Sequence, residues 1–157
     1  MDLKEIGIGG VVVIGGAIYG ISEYGLSDVL TDEIKYVHEI PMEEREAYMS
    51  SVVTQFTEFY EGATYGTDDF DFVGSLKYDL NPKRTEFVEV VQSLHDVPKA
   101  EVKNLRKYYA GQWMCDFEDS TMFTDKGWSY TTKMKNKDGR IMVTVSCKPE
   151  QKLGLRS

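Results

Sequence analysis

Two stretches near the C-terminus decide the fold: Trp128-Ser129-Tyr130-Thr131-Thr132-Lys133-Met134 and Ile141-Met142-Val143-Thr144-Val145-Ser146-Cys147. Each alternates large apolar residues with polar ones, the period of two that a strand with one buried face requires. Asn136-Lys137-Asp138-Gly139 lies between them and supplies a turn, with Gly139 where positive φ is needed. The expectation is an antiparallel hairpin that turns Trp128, Tyr130, Met134, Ile141, Val143, Val145 and Cys147 toward the core.

Working outward, Cys147 closes the second strand, and Cys115 is the only other cysteine. In an exported domain an even pair reads as one disulfide, here closing a loop of about 30 residues. A metal site is disfavoured, because two thiols need further ligands and His38 and His95 lie far off in sequence. The separation also excludes a C-x-x-C redox motif.

The middle of the chain reads as helices. Leu30, Ile34, Val37 and Ile40 share one face of a short helix that Thr31 caps. Pro41 starts a second helix, with Glu43, Glu44 and Glu46 favourable near its positive end. Its stripe of Met42, Met49, Val52, Val53, Phe56, Phe59 and Tyr60 is core, and Gly62 ends it. Residues 62–75 read as a loop or irregular edge. Asp68, Asp69 and Asp71 there do not match a calcium loop and are expected to be a solvated acidic turn. Leu76 to Leu80 is a short strand. Pro82 opens a helix bearing Phe87, Val90, Val91 and Leu94, and Pro98 opens another bearing Val102, Leu105, Tyr109, Trp113 and Asp116, with Cys115 near its end. The domain is therefore α+β, with three to four helices packed on a short antiparallel sheet.

Ahead of this domain, residues 6–21 read IGIGGVVVIGGAIYGI without a charge. Such a run approaches the length of a membrane-spanning helix. Its six glycines weaken a helix in water but not in lipid, where unpaired backbone groups cost several kcal/mol each. Gly16-Ala17-Ile18-Tyr19-Gly20 is a GxxxG, whose small residues let a second helix approach at Gly16 and Gly20. The expected division is a membrane anchor and flank over residues 1–26 and an exported domain over 27–157. Lys4 precedes the segment, and no further Lys or Arg occurs until Lys35, so the domain is expected outside the cytoplasm, periplasmic or extracellular. The alternatives are a signal peptide cut before Glu23, with Gly20 and Ser22 as its small residues, and a buried strand–turn–helix.

Charge is divided unevenly. Residues 22–75 carry thirteen acids and two bases, whereas residues 76–157 carry eleven acids and fifteen bases; the whole chain is at −8. That balance disfavours nucleic acid, whose phosphates require clustered Lys and Arg. It leaves the acidic helical half and the hairpin edge as surfaces for a protein partner. No Ser lies in G-x-S-x-G, and carboxylate pairs such as Glu43/Glu44 lack an apolar pocket. No catalytic residue, cofactor or metal is expected, with a hydrolase using His95 as the competing reading.

The pattern Cys115…Gly127-Trp128-x-Tyr130…Asp138-Gly139…Val143-x-Val145-x-Cys147 resembles hairpin modules of many small exported bacterial proteins. That resemblance implies export and a stapled hairpin, and no activity. The apolar N-terminal segment, the sheet, the C-terminal cysteine pair and Glu5 are also similar to type IV pilins, which implies a filament subunit. Glycines stand where pilins carry Leu and Ile, and neither their leader peptide nor their first Phe is expected. The expected function is a non-enzymatic accessory or protein-binding subunit of an envelope membrane assembly, open to oligomerisation. A secreted binding module lacking residues 1–22 and a pilin-like subunit are the alternatives.

Overall fold

The computed structural model describes residues 29–67 and 72–149 of the 157-residue chain. The anchor, its Gly16 and Gly20, and the acidic turn at Asp68, Asp69 and Asp71 lie outside the described residues. Within them the order is α1 (Met42–Phe59), β1 (Thr64–Thr67), β2 (Phe72–Asn81), β3 (Glu86–Ser93), α2 (Lys99–Tyr109), α3 (Glu118–Thr124), β4 (Ser129–Lys135) and β5 (Ile141–Cys147). The five strands form one sheet in that same order. It is an α+β domain. The sheet is mixed rather than antiparallel, because the connection through α2 and α3 brings β4 in parallel to β3, pairing Phe87 with Tyr130 and Val91 with Met134. No described helix is long and apolar enough to cross a membrane.

α1 follows its expected stripe in part. Met49, Val52 and Phe56 recur every three to four residues and are buried, each contributing about 1.5–3 kcal/mol through removed apolar surface. Tyr60 just beyond is also buried, whereas Met42 is 78% exposed and Phe59 44%. Phe56 rests on Tyr78 of β2 and meets Phe123 of α3 edge-on. Phe123 stacks on Tyr130 of β4 and packs against Phe87 of β3, so one aromatic seam joins both layers.

Three expectations are corrected. The stretch from Pro82 to Leu94 is not a helix: Pro82–Arg84 make one 3-10 turn, Thr85 takes φ 48°, and strand β3 follows. Phe87, Glu89 and Val91 turn to the helical layer and Val88 and Val90 to the other face, so the period is two. Apolar residues at 87, 90, 91 and 94 fit a helical template equally, and pairing with β2 and β4 decides for the strand. The Leu30–Ile40 segment holds only a 3-10 turn at Val37–Glu39. Its backbone is spent on distant partners instead. Lys35 N–H donates to the Tyr48 hydroxyl, Trp128 Nε1 donates to the Lys35 carbonyl at 2.7 Å, and Val37 N–H donates to the Lys126 carbonyl. Ile34 and Ile40 are buried all the same. Finally, α2 stops at Tyr109 instead of running to Asp116. Gln112 takes φ 52°, and Trp113–Asp116 form a separate 3-10 turn that carries Cys115. The short helix α3 was not expected.

The hairpin has the expected antiparallel register, with a bulge at Met134/Lys135. The bulge changes which residue faces inward. Ile141 is 48% exposed and Met142 is buried in its place, while Trp128, Tyr130, Met134, Val143, Val145 and Cys147 are buried as expected.

Candidate functional site

Cys115 and Cys147 form a disulfide with Cα atoms 5.3 Å apart. It ties the end of β5 to the 3-10 turn that follows α2. Among the described residues, strand β5 has β4 on one side and no strand on the other. An unpaired edge presents free N–H and C=O groups and has to be covered or defended. Here α2 packs along it, and Arg106 Nε donates to the Met142 carbonyl at 2.8 Å.

Between α2 and β5 lies a groove of about 560 Å³. The helix contributes Lys99, Val102, Lys103 and Arg106, at the three- and four-residue spacings that share one helical face. Arg140 and Ile141 come from the hairpin. Among the described residues that line it, Asp96 is the only acid. Lys99 and Lys103 are exposed and have no ion-pair partner among the described residues. Arg140 is paired with Asp138 at 2.6 Å, and its backbone N–H and guanidinium hold the Asp138 carboxyl below its ordinary value. A shallower hollow of about 260 Å³ shares Arg106 and Met142 and continues to Thr144, which is exposed. The depression thus follows the free edge of β5.

Its near end is fixed by Asn136, which is buried. Asn136 Oδ1 accepts from Val97 N–H at 2.9 Å, and Nδ2 donates to the Val97 carbonyl at 3.1 Å. That side chain pairs with the end of the β3–α2 connection as a neighbouring strand does, locking α2 to the hairpin turn. Gly139, at φ 89°, lets the turn close with its N–H on the Asn136 carbonyl.

Beneath α3, the helical face of the sheet buries a carboxyl. Glu89 is fully buried; Tyr130 donates to its Oε2 at 3.1 Å, Tyr78 to the same atom at 3.4 Å, and Thr132 to Oε1 at 3.3 Å. Burial pushes its pKa well above the usual carboxylate range and nearby Asp119 adds to this, while the three hydroxyls pull the other way. Burial, with Glu89 beside them, also pushes the Tyr78 and Tyr130 hydroxyls well up. Burial thus favours the protonated form of Glu89.

Of the residues singled out in the sequence as candidate site residues, the structure brings together, among the described residues, only the two cysteines. His38 is exposed on its 3-10 turn beside the Tyr36 ring, and His95 follows β3, its N–H donating to Ser93 Oγ. Lys99, Lys103, Arg106 and Glu89 were missed. The signal for the cations was present, as an i, i+4, i+7 basic face in the half of the chain richer in bases. Glu89 was hidden by its assignment to a helix. No protein-family model, curated protein or solved structure matches the chain.

Proposed function

We propose that this chain is a non-enzymatic, protein-binding accessory subunit of an envelope membrane assembly. Residues 1–26 would hold it in the membrane through a single span, with the domain outside the cytoplasm. The observation that carries the binding role is the groove along the edge of β5, where, among the described residues, two lysines are without an ion-pair partner and half-exposed Ile141 stands beside a strand that lacks a neighbour. Edge strands of this kind are recurrent protein-recognition elements, since main-chain bonds give affinity and alternate side chains give selectivity. The disulfide supports the exported location, because such bonds persist where the compartment is oxidising. It also holds the edge in place against the helical layer. The partner helix would pack at Gly16 and Gly20, where the absence of side chains allows close approach.

The test is site-specific photocrosslinking of the full chain in its native membranes. A crosslinker at exposed Thr144, on the edge, is compared with one at exposed Thr57 on α1, which packs over β2 at the other side of the sheet. The reading expects a discrete adduct from Thr144 and none from Thr57. Adducts from neither position, or equally from both, contradict it. A mature chain found to begin at Glu23 would replace the anchored form by the secreted one.

A further inference from the structure

Resting on that reading of the groove, we infer that its occupant is an extended acidic segment of a partner protein, added beside β5 as a sixth strand. Four observations converge on this chemistry. The groove concentrates Lys99, Lys103, Arg106 and Arg140 against a single acid, on a chain whose overall charge is −8. A local cationic strip attracts acidic segments and orients them along its length. Arg106 and Arg140 are already engaged, with Met142 and Asp138, which leaves Lys99 and Lys103 as the groove cations without an ion-pair partner among the described residues. They sit four residues apart on one face of α2 and lie alongside the strand rather than at one point, which suits an extended chain better than a compact anion.

The third observation is the shape: the depression follows β5 from Ile141 past Met142 to Thr144, and that strand has seven residues. The fourth is the edge itself. β5 carries no proline, its side chains at Ile141 and Thr144 are exposed, and its far end is pinned by the disulfide; an incoming strand displaces Arg106 from the Met142 carbonyl and takes that acceptor over. The incoming segment is therefore about five to seven residues long, free of proline, with acidic side chains directed toward α2.

The experiment uses the full chain in detergent and a fluorescein-labelled peptide of about eight residues, alternating Glu and Thr, the length of an ordinary strand. Binding is followed by anisotropy, and amide exchange along Ile141–Cys147 is followed in the same complex. The inference expects saturable binding and slowed exchange at that strand. It expects at least about a tenfold loss of affinity in a K99E/K103E double variant, since both reversals put repulsion where attraction was. Exposed Lys83, on the 3-10 turn before β3, serves as the control site, and K83E should leave affinity unchanged. A peptide of equal charge with Pro at every second position should not bind, because it cannot join a ladder.

Equal binding of the proline peptide reduces the site to a nonspecific anion attractor and overturns the inference. No binding of the Glu–Thr peptide, or an unaffected K99E/K103E variant, overturns it as well. Slowed exchange at β5 that grows with protein concentration in the absence of peptide makes a second copy the occupant and does the same. If the Thr144 crosslink persists while the peptide fails, the groove still binds protein and only its acidic, strand-adding specificity falls.

Discussion

Replacing Glu89 by glutamine should stabilise the domain by an amount that grows with pH. The wild-type carboxyl is fully buried with three hydroxyls around it, and its pKa in the fold is raised well above the unfolded value by burial. The folded state therefore holds a proton that the unfolded chain releases above roughly pH 4.5. In that window the folded state binds more protons than the unfolded one, so stability is full below the unfolded pKa and falls as pH rises through the raised value. The slope is about 1.4 kcal/mol for each pH unit between the two pKa values. Glutamine reproduces the neutral acid, with Oε1 accepting from Tyr130 and Tyr78 and Nε2 donating to the Thr132 hydroxyl, which turns from donor to acceptor. E89Q should thus match wild type near pH 4.5 and gain on it by about 1.4 kcal/mol per pH unit above, until the wild-type carboxyl ionises in the fold. Urea unfolding of both proteins at half-unit steps from pH 4.5 to 8, read by tryptophan fluorescence, measures the difference directly. E89A should instead lose about 2–4 kcal/mol at low pH, leaving a cavity and two buried phenols without an acceptor. Parallel wild-type and E89Q curves, or a glutamine variant that weakens with rising pH, would refute the buried neutral acid.

Three further outcomes are expected. Removing the disulfide with Cys115→Ser and Cys147→Ser should cost about 3–4 kcal/mol, from a sequence separation of 32 in the chain-entropy relation, and reductant should shift only the wild-type denaturation curve. Asn136→Ala should cost about 2–3 kcal/mol, because it strips both bonds to Val97 and leaves buried backbone groups unpaired; Lys99 amides on α2 should then exchange faster. Gly127→Ala should be strongly destabilising, since Gly127 has φ 89° and an added Cβ would meet Val37 Cγ1 at 2.5 Å. Val37→Ala in the same chain should recover the steric part of that loss in the melting temperature but not the backbone part, and a pair of purely additive effects would argue against the contact.

Local grammar made the hairpin legible: alternation from Trp128 to Met134 and from Ile141 to Cys147, around a turn with glycine at its positive-φ position. The cysteine pairing followed, since the chain has two cysteines and reads as exported. What was not legible depended on partners distant in sequence. Residues 86–93 carry apolar side chains at both helical and strand spacings, and only pairing with β2 and β4 resolves them. The Leu30–Ile40 segment has a helical stripe, yet its backbone bonds to Tyr48, Lys126 and Trp128, contacts that no local pattern announces. Ile141 and Met142 exchanged places because of one bulge. The groove's basic face was readable on α2 alone, but its meaning depends on β5 being an edge, which requires the sheet order. Glu89 shows the same limit, as an acid in a β-branched run is recognised as buried only once α3 covers it.

The most direct test of the account is the state of the native protein in fractionated cells, taken as intact mass and thiol labelling with and without reductant. The account predicts a full-length chain retained in the membrane fraction whose two thiols label only after reduction. A full-length chain in the soluble fraction, with Cys115 and Cys147 labelling freely, would contradict both the exported location and the stapled edge on which the binding role rests.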